Sequence, residues 1–317
     1  MIARVVACLS LLAGSPGAAA PPDQKGQVET APGVSIYFER YGSGPNVVFV
    51  PNRMFMPEFA ALARADRTLV LYDMRNRGLS GRVEDTTKIS IMGDVEDVEA
   101  LRRHFNAEKL SLVGYSYLGL MVALYATQHP DHVNRLVQIG SVPRKFGTAY
   151  PADQQAGNDT LSPEAEAAWA EWQKVKEPSS AEPLVRCHAF ARFLSHMIVV
   201  NPANAAKVPD TCGYENESIA NAERHLSVHF ADIQKRDFPR EPFTKLEQPV
   251  LTIHGLLDRN APCGSGVEWA NTFRNARLIT IPRAAHQLWL DDPAVIGDID
   301  KFLSGRWPER AQSFGGE

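Results

Sequence analysis

Leu110-Ser111-Leu112-Val113-Gly114-Tyr115-Ser116-Tyr117-Leu118-Gly119 is the stretch on which the architecture turns. Leu110 to Tyr115 is a continuous apolar run, the pattern of a central strand covered on both faces. Tyr117 to His129 reads as a helix that follows at once. Ser116 therefore falls in a sharp strand-to-helix turn. Such a turn strains the backbone of its Ser and lifts the hydroxyl above the sheet, and a small residue two positions earlier, here Gly114, avoids a clash. The helix that follows aims its positive end at the same spot, which places the Tyr117 backbone N–H to donate to a developing oxyanion. An ordinary βα turn that happens to contain Ser is the plain alternative, and short Gly/Ser patterns alone do not separate the two.

Outward from this stretch the pattern alternates. Val34 to Tyr41, Asn46 to Val50 and Arg67 to Asp73 read as strands, Ile91 to Phe105 as a helix, then Arg135 to Ser141, Pro249 to Gly255 and Arg277 to Pro282 as strands. The prediction is an α/β fold, a mostly parallel central sheet with helices on both faces. Strand signals thin out from about 142 to 243, where Ser162 to Lys176 opens with a capping Ser and a Pro at the first helical position. That stretch reads as a helical cap inserted over the sheet. The expected division is a signal peptide over 1–19, the first part of the core over 20–141, the cap over 142–243, the second part of the core over 244–305, and a loosely held tail over 306–317.

A Ser hydroxyl is a poor nucleophile until a base takes its proton, so an acid and a His are required downstream. Asp258 lies just beyond the strand that ends at Gly255, and His286 just beyond the strand that ends at Pro282, both at the sheet edge that carries Ser116. An Asp or a His in such a place is by itself more often a cap or a structural residue; it is the coincidence of the set that points to catalysis. His225 and His229 stand four apart, a spacing able to hold a metal, but no third ligand follows at a known spacing, so exposed or capping histidines are expected and no metal site. Phe190, Phe193, Met197, Ile198 and Val199 suggest an apolar wall over a pocket for an acyl or aromatic group.

The order Ser116, Asp258, His286, each at a strand end, resembles the triad of the α/β-hydrolase superfamily. The resemblance is to its capped branch, with proline iminopeptidases, carboxylesterases, lactonases and cofactor-free haloperoxidase-like enzymes. It extends over nearly the whole chain after the N-terminal segment. Asp73-Met74-Arg75-Asn76-Arg77-Gly78-Leu79-Ser80 is similar to the family's Asp-x-Arg-Gly-x-Gly-x-Ser turn, with Asp73 and Arg75 in structural roles and Asn76 in place of Gly. Asp94 to Gly119 is similar to the helix, strand and elbow run; His129-Pro130 and Asp291-Asp292-Pro293 match the ends of further motifs. The resemblance implies that Ser116 is the nucleophile, His286 the base and Asp258 its orienting acid. The family's His-Gly-x-Pro loop is here Pro51-Asn52-Arg53-Met54, which makes the Arg53 backbone N–H the second oxyanion donor by position; its side chain either reaches an acidic substrate group or faces solvent. Leu118 stands where the family has a small residue, with Gly119 one place late. Ala168-Trp169-Ala170-Glu171-Trp172-Gln173 is similar to a Trp-x-x-Trp-Glu element of iminopeptidase caps, where the Glu binds the substrate amino group. Gln173 supplies no charge there, leaving Glu171, Glu215 or Glu217 as substitutes. Trp169, Trp172, Gln173 and Phe193 are the pocket candidates, while the two Trp are equally readable as core-facing.

The chain has 317 residues, 33 Lys plus Arg against 37 Asp plus Glu for a net charge of −4, and 44% hydrophobic residues. This excludes a disordered chain and a phosphate-tracking nucleic-acid binder. Residues 1–20, MIARVVACLSLLAGSPGAAA, carry one positive charge, an apolar run from Val5 to Ala13 and small residues at the end, the pattern of a secretory signal cleaved after Ala19. Of the four cysteines Cys8 lies in that segment; Cys187 and Cys212 either bridge, leaving Cys263 free, or all three are buried thiols. The expectation is a secreted or periplasmic serine hydrolase of carboxylic esters or lactones working through an acyl-enzyme. It needs no cofactor, takes a small-molecule or short peptide substrate, and has no nucleic-acid partner and no stable membrane anchor. A proline iminopeptidase-like aminopeptidase is the first alternative, a catalytically silent ligand-binding protein on the same fold the second.

Overall fold

The computed structural model describes residues 21–155 and 161–313, so the expected signal segment lies outside the described residues. Nine strands form one sheet in the order β1-β2-β4-β3-β5-β6-β7-β8-β9. They are β1 (Gln24–Ala31), β2 (Val34–Tyr41), β3 (Asn46–Pro51), β4 (Arg67–Tyr72), β5 (Leu110–Tyr115), β6 (Val133–Ile139), β7 (Val250–Gly255), β8 (Ala276–Ile281) and β9 (Gln312–Ser313). β3 through β8 pair in parallel, whereas at the two edges β1 with β2, β2 with β4 and β9 with β8 pair antiparallel. The inner strands are buried along almost their whole length because alternate residues enter different cores. In β3, Val47 and Phe49 face one cluster and Val48 and Val50 the other.

The first core packs the sheet against α1 (Ile91–His104), α2 (Tyr117–Gln128) and, later in the chain, α6 (Glu241–Thr244) and α7 (Cys263–Thr272). The second packs it against α8 (Leu288–Asp291) and α9 (Ala294–Leu303). Between β6 and β7 come α3 (Pro163–Val175), α4 (Pro183–Met197) and α5 (Ile219–Lys235), the helices that lie over the strand ends. Ser162 caps α3 by accepting from the Ala165 N–H. Among the described residues, no helix is long and apolar enough to cross a membrane.

Topology places the site. The chain leaves β3 for β4 on one side and then returns to β5 on the other, so the loops after β3 and β5 diverge and open a crevice at their carboxyl ends.

Two edges differ from expectation. β1 precedes the first predicted strand; it is an edge strand whose side chains, apart from Val28, stay at least partly in water, so it lacks the alternation that announces a half-buried strand. Through Ser313, the last described residue, the tail is held, not loose. Arg310 pairs with Asp292 (2.6 Å) and Asp298, Arg277 lies over the Trp307 ring at 4.6 Å, and Gln312 and Ser313 pair with β8.

Candidate active site

Ser116 sits between β5 and α2 with φ 58° and ψ −129°, a conformation outside the ordinary regions for a side-chain-bearing residue. Its N–H donates to the Ile139 carbonyl (2.8 Å), tying the turn to the end of β6. A Cβ on Gly114 would stand 2.3 Å from the Leu118 carbonyl oxygen, which is why that position has no side chain. The shifted small residue is explained too. Leu118 turns into the first core, and it is Gly119 that passes close to β6, where a Cβ would meet Ser141 Oγ at 2.5 Å.

Asp258 and His286 are both buried, and His286 Nδ1 lies 2.7 Å from Asp258 Oδ2. The other carboxylate oxygen accepts from the Asn260 N–H (2.8 Å) and the Ala261 N–H (2.9 Å). Burial alone would raise the carboxyl's pKa, but the imidazole of His286 and hydrogen bonds from His254 and His286 hold it well below the usual carboxylate range. The acid is therefore charged and fixed on two sides, with the Tyr115 ring 4.7 Å from the imidazole. Gly140 is a member of this site that the sequence did not signal. Its φ is +51°, and a Cβ there would lie 3.1 Å from His286 Nδ1 and 3.2 Å from Asp258 Oδ2.

Ser116 and His286 open onto one cavity of about 410 Å³. Its wall is mainly apolar and includes Phe55, Trp172, Phe190, Leu194, Met197, Ile198 and Phe230, with Arg77 and Glu217 as a charged pair. Of the four pocket candidates only Trp172 lies on this wall. Trp169 is 44% exposed, its ring against Phe193 at 4.9 Å; Phe193 is buried beneath it, and Gln173 is half-buried away from the cavity. Positions 169 and 172 lie about 60° apart around α3 and share a face, yet Trp169 packs on Phe193 and Trp172 on Phe190 (5.2 Å). Neither Trp is a core residue under the sheet. Cys187 and Cys212 are joined in a disulfide, and both line the cavity, while Cys263 is free and buried.

Tyr117 opens α2, so its N–H belongs to the unpaired first turn. Asn52, with φ 67°, swings the chain out of β3 toward Arg53 at the other side of the crevice. The Arg53 side chain takes neither expected course. Its Nη2 donates to Asp73 Oδ2 (2.8 Å), Nη1 lies 3.6 Å from Glu39, and the guanidinium covers the rings of Tyr37 (5.0 Å) and Tyr214 (5.8 Å). Asp73 also accepts from the Met54 N–H (3.2 Å) and the Leu79 N–H (3.0 Å), and Arg75 Nε donates to Asp97 (2.8 Å), so these residues brace the loops that flank the crevice.

The proposed substitutes for the iminopeptidase Glu are also placed. Glu171 is exposed and paired with Lys174 (2.6 Å), and the Glu215 side chain lies outside the described residues. Glu217 is buried at the cavity, but its carboxylate already accepts from Arg77 Nε (2.7 Å), Arg77 Nη2 and the Gly78 N–H (2.9 Å). His225 and His229 are buried, not exposed. His229 Nε2 meets Asp94 Oδ2 at 2.7 Å beneath the Tyr117 ring, and burial beside Arg77 pushes the His225 imidazole well below its ordinary pKa. The partner of His229 is on α1, a contact that helical spacing alone could not reveal. These residues belong to a polar seam between α5 and the core, with Asn221 Nδ2 to the Asn76 carbonyl (3.2 Å), Arg224 Nη2 to the Val83 carbonyl (2.9 Å) and the Ile91 N–H to Asp232 (3.2 Å).

A sequence profile of the alpha/beta hydrolase fold family matches residues 51–293, and the chain belongs to that family. Among curated proteins it is 23% identical over 303 residues to a probable 1-acylglycerol-3-phosphate O-acyltransferase of Oryza sativa, covering 86% of this chain and 71% of that one. It is 23% identical over 246 residues to a proline iminopeptidase of Heyndrickxia coagulans, covering 75% and 83%. Among solved structures, 2-hydroxy-6-oxo-6-phenylhexa-2,4-dienoate hydrolase of a Rhodococcus strain superposes with a TM-score of 0.65 at 18% identity, covering 89% of this chain and 98% of that one.

Proposed function

We propose that this chain is an exported serine hydrolase that cleaves carboxylic esters or lactones with an apolar acyl or aromatic part. The observation that carries the reading is the 2.7 Å Asp258–His286 pair opening, with Ser116, onto one mainly apolar cavity. In this reading Ser116 attacks the carbonyl carbon while His286 takes its proton. The Tyr117 and Arg53 backbone N–H groups receive the oxyanion, and Asp258 holds the imidazole ring and balances the imidazolium. His286 then protonates the leaving alkoxide, and water activated by the same imidazole releases the acid.

Ester cleavage is favoured over removal of an N-terminal residue because no uncommitted carboxylate is seen at the cavity wall among the described residues. Glu217 is neutralised by Arg77, Glu223 lies 3.6 Å from Arg186, and a neutral pair has little attraction for an ammonium group. The disulfide supports an oxidising compartment. A panel of p-nitrophenyl esters against proline p-nitroanilide tests the reaction. Turnover of the anilide with little ester cleavage would reverse the assignment. Failure of a fluorophosphonate to label Ser116 would leave a binding protein instead.

A further inference from the structure

The segment that follows α4 within the cap, residues 197–204, touches the chain next to the candidate base and next to the candidate acid. Next to His286, the Gln287 N–H donates to the Ile198 carbonyl (2.8 Å), and the Ala285 N–H donates to Asp291 Oδ2 (3.1 Å). That same Asp291 oxygen accepts from the Val200 N–H (2.8 Å), and its other oxygen from the Asn201 N–H (3.2 Å) and Asn204 Nδ2 (3.1 Å). Next to Asp258, Arg259 Nη1 donates to the Met197 carbonyl (3.2 Å). A further link runs from Gln287 Nε2 to the Phe55 carbonyl (3.0 Å), just beyond Arg53. Met197 and Ile198 themselves line the cavity.

We infer that Asp291 is a positioning residue: by joining the cap segment after α4 to the backbone beside His286, it sets the imidazole against Ser116 and transmits the state of the cap wall to the base. A carboxylate gathering four N–H donors from two chain segments fixes their separation as a single apolar contact cannot. A base needs placement to within about 0.5 Å to work at full rate. The inference rests on the proposed Ser116–His286–Asp258 chemistry.

The test measures steady-state turnover of a p-nitrophenyl ester and the rate of fluorophosphonate labelling for the full chain and for Asp291→Asn, with active sites counted by the label. The Asn amide turns its own N–H groups toward donors, so at least two of the four contacts are lost. The expected result is a tenfold or greater fall in kcat per labelled site with KM changed less than threefold, and labelling slowed in parallel. Asn204→Ala, which removes one donor from the cap side alone, should lower kcat two- to fivefold and serves if Asp291→Asn does not fold. A variant that loses only thermal stability, with kcat per labelled site unchanged, overturns the inference. A wild-type protein that never labels at Ser116 overturns the proposed chemistry and this inference together.

Discussion

Gly140→Ala isolates the geometry of the base and its acid. At φ +51° an Ala adopts a left-handed conformation at a cost of about 1–2 kcal/mol, which for a chain of this size lowers the Tm by roughly 2–3 °C. The added methyl would stand 3.1 Å from His286 Nδ1 and 3.2 Å from Asp258 Oδ2, closer than carbon normally packs against either atom, so the pair must part by a few tenths of an ångström. A charge-assisted hydrogen bond contributes about 1.5–3 kcal/mol, and losing half of it in the transition state is roughly 1 kcal/mol, or about five- to tenfold in kcat. Gly147→Ala is the control. Its φ is +80°, and a methyl added there meets no atom within 4 Å among the described residues, so the same strain arises without the contact. Ester turnover and thermal melts on both variants decide the matter. Similar losses of Tm with a kcat loss confined to Gly140→Ala are expected; equal activity in the two would refute the idea that the approach to the dyad is what keeps residue 140 a glycine.

Asp258→Asn should leave the fold intact and lower kcat by about three to four orders of magnitude, because an amide favours the wrong imidazole tautomer; ester turnover checks this. Glu99, bonded to Arg102 (2.7 Å) and Tyr125 (2.9 Å), has its pKa lowered from 4.5 to about 2, chiefly by the Arg102 hydrogen bond. Since the folded value is depressed, its stabilisation is complete above about pH 4.5 and lost as pH falls toward about 2. Urea titrations should show Glu99→Gln less stable by roughly 1–2 kcal/mol at pH 7, with the gap closing over that window. Reduction of Cys187–Cys212, or Cys187→Ser with Cys212→Ser, should cost about 2–4 kcal/mol and change KM for bulky esters, since both residues line the cavity; Cys263→Ala should do neither in calorimetry and kinetics.

What was legible in the sequence was local. The run from Leu110 to Gly119 announces strand, strained turn and helix because each step depends on neighbours in the chain, and Asp258 and His286 follow from their places after strands. What was not legible depends on distant partners. Nothing near Gly140 in sequence says that a dyad built from residues 258 and 286 will pass over it. Arg53 is committed to Asp73 and Glu39 only once β2 and β4 lie together, and His229 is buried only because Asp94 on α1 waits for it. The helical period did not assign Trp169 and Trp172 their surroundings either, since those depend on how α3 is rotated against α4.

The seam between α5 and the core adds amides, ion pairs and an imidazole–carboxylate contact to the apolar contacts of Ile233 and Val228, whereas the two cores beneath it are hydrocarbon. Apolar burial weakens on cooling and gives unfolding its large positive heat capacity; exposed polar surface contributes with the opposite sign. The polar contacts of the seam therefore offset part of the heat-capacity change that the apolar contacts of the cap bring, so release of the cap alone should show a smaller heat-capacity change per residue than unfolding of the sheet.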